Sequence, residues 1–383
     1  MGKRELLLVV GFVLVGALVY QFTAPPPDPS ARGFSFSRII DNIRREVRGR
    51  PESAEVTQTF TRPAAEGLTE IRVRMPIGGI AVTGEDRTDI SVEFHVRSNG
   101  FDKAEAEKLA KESTLTFDEA GGVLVIATTN FPDEGTQRPT LRLKVPSRLA
   151  FKADAKNGEM TITNVALVAI GVSRAATTIT NVKGAVSLTQ RGSTATIKDV
   201  GSLKLTTAAG ARVRVGQVHG DVTLSLQGGE FRGEGFTGAL EVESRTTDVQ
   251  FDTVDGLRGP IRVNANLGKV TFNGLQTDAR IDGRETEIRV SMAAPAPLAI
   301  YNEGEEPIEV AVPPGGFTVD ALSINGKITV AGELEQAGLR VVAPPGGEPA
   351  DSRRETRLNG SIKGGGPTIT LRSQRGDIAL RSK

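Results

Sequence analysis

The chain has 383 residues, enough for two or three ordinary domains or for one long repeat domain. Its 47 basic and 46 acidic residues nearly cancel, which argues against a global field steering nucleic acid or an acidic substrate. There is no cysteine, which excludes disulfides, thiol catalysis, lipoprotein acylation and sulfur-rich metal sites, and only His95 and His219 are available for imidazole chemistry.

Leu6 to Phe22 is a 17-residue run without charge, about 25 Å long as a helix and at the short end of what a bilayer needs. Lys3 and Arg4 precede it and Tyr20 sits near its far end. Val15-Gly16-Ala17 has the small-residue character of a signal-peptide cleavage site. The apolar run continues to Phe22, which favours an uncleaved anchor over 1–22, with residues 6–22 as the membrane partner. Arginines on the far side leave the positive-inside balance undecided. A large downstream domain usually translocates regardless, so a single-pass membrane protein with its bulk outside the cytoplasm is expected.

Residues 23–66 read as a linker, with Ala24 to Ser30 stiffened by proline. Phe36, Ile39, Ile40, Ile43 and Val47 form an apolar stripe at helical spacing among arginines. Two readings stand: a basic amphipathic helix on the membrane surface, or a short helix packed on its own domain.

Residues 67–150 alternate as half-buried strands, with Ile71, Val73 and Met75 on one face, then Ile80 and Val82, then Ile90, Val92, Phe94 and Val96. One helix interrupts. Asp102 and Glu105 have capping-box spacing, and Glu107 to Lys111 is a favourable i,i+4 pair. Strands return at Val123–Ala127 and Leu141–Val145.

Residues 151–383 are dominated by a short repeated strand motif. Ile162-Thr163-Asn164-Val165 recurs as Ile179-Thr180-Asn181-Val182, Ile197-Lys198-Asp199-Val200 and Val215-Gly216-Gln217-Val218. Weaker copies begin at Gly233, Phe251 and Phe272, giving steps of 17, 18, 18, 18, 18 and 21 residues. Such a period signals stacked units, each unable to bury its apolar face alone. Two positions before each copy lie Met160, Thr177, Ala195, Val213, Phe231, Val249 and Val270, expected inside. A second strand per unit carries pairs such as Val186/Leu188 and Leu203/Leu205. Gly192, Gly210 and Gly228 on one side, and Gly184, Gly220, Gly238 and Gly256 on the other, are expected to supply positive φ at the turns.

The expected fold is therefore all-β. It is a β-solenoid of about 18 residues per coil, a right-handed parallel β-helix by crossover chirality, preceded by a small β region with one helix and an N-terminal transmembrane helix. Irregular strands are expected at Ile308–Val312, Phe317–Leu322, Ile324–Val330, Leu339–Val342 and 366–380, with an exposed loop within Ala337–Arg357.

The pattern resembles the bacterial "putative adhesin" family, a domain of unknown function with repeated strand coils and often a membrane anchor. The residues carrying the resemblance are Ile80 to Gly84, Asn157 to Ile162, the Ile-Thr-Asn-Val copies and the closing Gly366–Leu380 stretch, so it covers 67–383. It implies a solenoid-like envelope protein with an adhesive or scaffold role, and brings no catalytic residues with it.

Chemistry is sparse. Asn164, Asn181, Asp199 and Gln217 occupy corresponding outward places and can present a hydrogen-bonding ladder to a partner; polar stacks more often satisfy turn backbone. Arg214 and Arg232 are adjacent outward cations able to meet an anionic polymer, although solvated charge is the default. Asp199, Asp221, Asp248, Asp252 and Asp255 invite comparison with a β-helical lyase, but no calcium loop, Walker loop or nucleophile elbow is present. The expected function is non-catalytic: an envelope-anchored surface for adhesion or protein contact, with no cofactor, metal or nucleic acid. Its partner would be a protein or envelope polysaccharide, and self-association is open. A β-helical polysaccharide-processing enzyme is the alternative, followed by a scaffold polymerising end to end or a membrane sensor.

Overall fold

The computed structural model describes residues 52–129, 136–252, 259–342 and 354–383. The expected anchor, the proline-rich run, the apolar stripe of 36–47, Asp255, Gly256 and the end of the sixth motif copy lie outside these residues. Among the described residues no helix is long and apolar enough to cross a membrane.

The described chain is almost all strand, with 25 strands and two helices. Its strands build two long, mostly parallel ladders. In the first, Val82 pairs with Ile162, Ile162 with Ile179, Ile179 with Ile197 and Ile197 with Val215. The ladder continues through Gly233, Phe251, Phe272, Val290 and Val310 to Leu380. In the second, Val73, Ala153, Ile170, Leu188, Leu205 and Leu224 pair in turn. That ladder runs on through Val242, Val263, Ile281 and Ile300 to Leu371. Equivalent apolar side chains therefore sit one strand spacing apart, about 4.8 Å, and exclude water as continuous columns.

Long strands serve both ladders. In β11 (Ala176–Arg191), the first half pairs with β9 (Glu159–Thr163) and the second with β10 (Leu167–Ser173). The ladders face each other across one core: buried Thr177 in the first donates its hydroxyl to Gln190 Oε1 in the second at 2.9 Å. All seven positions expected inside, Met160 through Val270, are buried.

Antiparallel strands close both ends. β1 (Glu52–Pro63) pairs with β4 (Asp89–Gly100), and β4 with β7 (Gln137–Pro146). At the far end β20 (Phe317–Ile324) pairs with β23 (Glu355–Ile362). Helix α1 (Lys103–Glu112) begins as expected, with Glu105 N–H donating to Asp102 Oδ1 at 2.8 Å, while the Glu105 carboxylate accepts from Phe101 N–H. Its i,i+4 ion pair is Lys108–Glu112 at 3.9 Å rather than Glu107–Lys111.

Several expectations are corrected. The linker assigned to 23–66 contains a strand, β1, whose inner side alternates only weakly: Ala54 is buried, and Val56, Gln58 and Phe60 are half-buried. Within 67–150, the strands at Val73 and Val82 extend the same two ladders, and Glu52–Lys383 is one compact unit. Strands β17 (Ala279–Met292) and β18 (Leu298–Glu303) and helix α2 (Gly332–Gln336) were not anticipated, and β23 begins inside the expected exposed loop. Gly192, Gly210 and Gly228 do have φ of 64°, 71° and 67°. Gly220 and Gly238 serve differently: a Cβ on Gly238 would lie 2.4 Å from the Gly220 carbonyl, so these glycines let successive turns stack backbone on backbone.

Candidate binding surface

The four residues of the expected polar column occupy one corner of successive turns. Asn164, Asn181, Asp199 and Gln217 have φ of 59°, 54°, 55° and 57°, the left-handed region. Each stands between a ladder residue and a buried valine: Val165, Val182, Val200 and Val218. The chain needs one left-handed residue there to turn and put the next side chain back inside. Asn and Asp adopt that conformation at least cost among side-chain-bearing residues. Glycine takes over later, as Gly235 and Gly274, with φ of 66° and 85°. The column is thus a feature of backbone geometry as well as an exposed polar row. Asp199 also holds His219, whose Nε2 lies 2.7 Å from Oδ1, a pairing the sequence reading missed.

Arg214 and Arg232 are direct register neighbours on the outer face of the first ladder. Arg232 is engaged by Glu230 at 2.8 Å. With Lys198, Glu234 and Asp252 the two arginines line a shallow depression of about 310 Å³, floored where Gly216 has no side chain. Asp199, Asp221, Asp248 and Asp252, the four of the candidate aspartates that are described, form no metal-holding group. Asp221 accepts the Ala239 N–H at 2.9 Å, and Asp252 accepts from Gln250 and Asn273. Among the described residues no three His, Asp or Glu side chains are placed to hold a metal ion.

A larger groove, about 530 Å³, lies on the outer face of the second ladder and was not anticipated. It crosses β14 (Val222–Phe236), β15 (Leu240–Asp252), β16 (Ile261–Leu275), β17 and β18. Register sets its walls. One column runs Ser225, Glu243, Asn264, Asp282, Tyr301, and the other Gln227, Arg245, Asn266, Arg284, Glu303. Between them Leu226, Ser244 and Ala265 turn inward and are buried, so two rows of polar side chains flank a low floor. Arg280 organises one end. It donates to both Asp282 oxygens, at 2.8 and 3.1 Å, and its guanidinium lies 4.9 Å from the centre of the Tyr301 ring. The Asp282 hydrogen bonds raise the Arg280 pKa further above its ordinary value. A linear reading shows none of this, because the ten wall residues are drawn from five strands.

A second charged cluster, near the start of the ladders, is structural. Glu70 accepts from Arg72 and Lys152, each at 2.7 Å. Burial alone would raise its carboxyl, but the two cations outweigh that and hold it below the ordinary 4.5.

No protein-family model and no curated protein matches the sequence. Solved structures that align with it include a "putative cell adhesion protein" from Clostridium sporogenes, at 7% identity and TM-score 0.20, covering 87% of this chain and 100% of that one. They also include a "putative adhesin" from Parabacteroides distasonis, at 11% identity and TM-score 0.29, covering 86% and 97%. A third is a "putative adhesin" from Parabacteroides merdae, at 9% identity and TM-score 0.28, covering 86% and 96%. At these TM-scores the likeness carries no argument, and function has to be argued from the residues.

Proposed function

We propose that the chain is a β-solenoid of the adhesin kind, membrane-anchored through residues 6–22, and that it works without catalysis as a contact surface outside the cytoplasm. The observation that carries this reading is the pair of uninterrupted ladders in which apolar columns are consumed by the core while every other residue faces out. Such a body offers two broad, rigid, polar faces whose side chains repeat at strand spacing, a form suited to extended partners. Right-handed winding is part of the proposal, on the general chirality of parallel crossovers.

The polysaccharide-processing alternative draws on the groove, which brings Glu243, Asp282 and Glu303 together with arginines. Asp282 is already bound at both oxygens by Arg280, an arrangement that holds a ligand in place better than it moves a proton. The contact reading therefore takes precedence.

Protease treatment of intact cells carrying the full-length chain with a C-terminal tag tests the proposal. The expected result is loss of the tag signal without lysis, after outer-membrane permeabilisation where the cell has one. Protection of the tag until the cytoplasmic membrane is broken would overturn it.

A further inference from the structure

We propose that the groove across β14 to β18 binds a neutral, acetamido-bearing glycan chain lying along the ladder axis, with Tyr301 as its stacking platform. This rests on the contact-surface reading and names its ligand class. Four steps of strand spacing give the groove a length of about 19 Å, and each step is close to the length of one pyranose unit.

The wall chemistry selects among polymers. In the lining, Arg245 and Arg284 stand with Glu243, Asp282 and Glu303, and Arg280 pairs with Asp282 from beside the groove, so there is no excess of positive charge to attract a polyuronate or a nucleic acid. Gln227, Asn264 and Asn266 add three planar amides, each carrying both donors and an acceptor. That is the complement an acetamido group needs. Tyr301 is 37% exposed, held by Arg280, and positioned at one end of a wall. Tyr301 is one of three large apolar side chains exposed among the described residues, and it lines this groove. A peptide adding as a strand has nowhere to pair, because the central strands β15, β16 and β17 are hydrogen-bonded on both sides.

The test is calorimetric titration of the detergent-solubilised full-length chain with three hexasaccharides: chitohexaose, cellohexaose and hexagalacturonate. Saturable binding of chitohexaose is expected, at least about ten-fold tighter than either of the others. Tyr301→Ala and the double change Asn264→Ala/Asn266→Ala should each weaken it about ten-fold or more. Tyr301→Phe, which keeps the ring, should retain it, and Arg214→Ala on the opposite face should leave it unchanged. Tyr301→Phe and Arg214→Ala also separate a lost contact from a lost fold. Absence of saturable chitohexaose binding, preference for hexagalacturonate, or full affinity in Tyr301→Ala would each overturn the assignment. Failure here with the tag still exposed on cells would leave the contact-surface reading standing. A protected tag with glycan binding intact would sink that reading and spare the groove.

Discussion

Replacing Asn181 separates the two roles open to the corner column. Its φ of 54° sits in the left-handed region, where a Cβ costs about 1–2 kcal/mol and where asparagine is the side chain best able to stay. Valine has no local hydrogen bond to offer and is branched at Cβ, so Asn181→Val should destabilise its turn by about 1–2 kcal/mol. Glycine removes the Cβ clash but gives the unfolded chain more freedom, a loss of roughly 0.5–1 kcal/mol, so Asn181→Gly should come out near neutral. Each strand pairs only with its neighbours in the ladder, so the change should appear as a lower denaturant midpoint and as faster amide exchange near Val182 and the flanking turns at Asn164 and Asp199. The pair Asn164→Val/Asn181→Val should cost more than either alone, since the two turns lie directly over one another. Equal loss of stability in the glycine and valine variants would refute the argument from backbone geometry. A glycine variant with full stability but lost partner binding would show the amide itself to be a contact.

Three other outcomes follow from packing and charge. Phe251 is fully buried, stacked on Phe272 at 4.7 Å with Phe231 and Phe236 within 6.0 Å, so Phe251→Ala should cost about 3–5 kcal/mol by denaturant unfolding. Gly233 makes room for that cluster: a Cβ would lie 2.6 Å from Phe236 Cζ and 2.9 Å from Phe231 Cε1. Gly233→Val should therefore cost about 1–3 kcal/mol by overpacking, and Phe236→Leu in the same chain should recover part of it. The Glu70 carboxyl, lowered in the folded chain by Lys152 and Arg72, contributes stability that is present above its ordinary 4.5 and is lost as pH falls through the lowered value. Glu70→Gln should accordingly lower the unfolding midpoint at pH 7, and the two chains should converge under acid; a constant gap at all pH values would refute the linkage.

Much of the fold was legible because a parallel ladder writes itself into sequence as a period. Ile162, Ile179, Ile197 and Val215 recur at near-constant spacing because each must rest on the one before, and inward positions from Met160 to Val270 follow by alternation. Legibility failed where the corner changed. Val290 pairs with Phe272 at the same 18-residue step, but Ser291 leads straight to Met292, which pairs with Leu275 across a register shift. No left-handed residue marks that turn, so β17 and β18 lost the signature while keeping the ladder. The β1 strand was hidden for the opposite reason: it pairs antiparallel at an end of the sheet and its inner side is mostly only half-buried, so no parallel neighbour imposes a period on it.

The same physics explains why the candidate groove was invisible. Core positions are constrained along the chain, since every strand of a ladder must refill the same column, and so they repeat. Wall positions are constrained only across coils, by what faces Ser225, Glu243, Asn264, Asp282 and Tyr301 together, and those residues share no type and no local motif. The sequence reading accordingly favoured rows that do look alike, such as Asn164, Asn181, Asp199 and Gln217, all four of which also meet a left-handed φ requirement. On a ladder of this kind, resemblance between successive strands already follows from what the backbone and core need. Function is better sought where equivalent outward positions differ, as they do along Ser225, Glu243, Asn264, Asp282 and Tyr301.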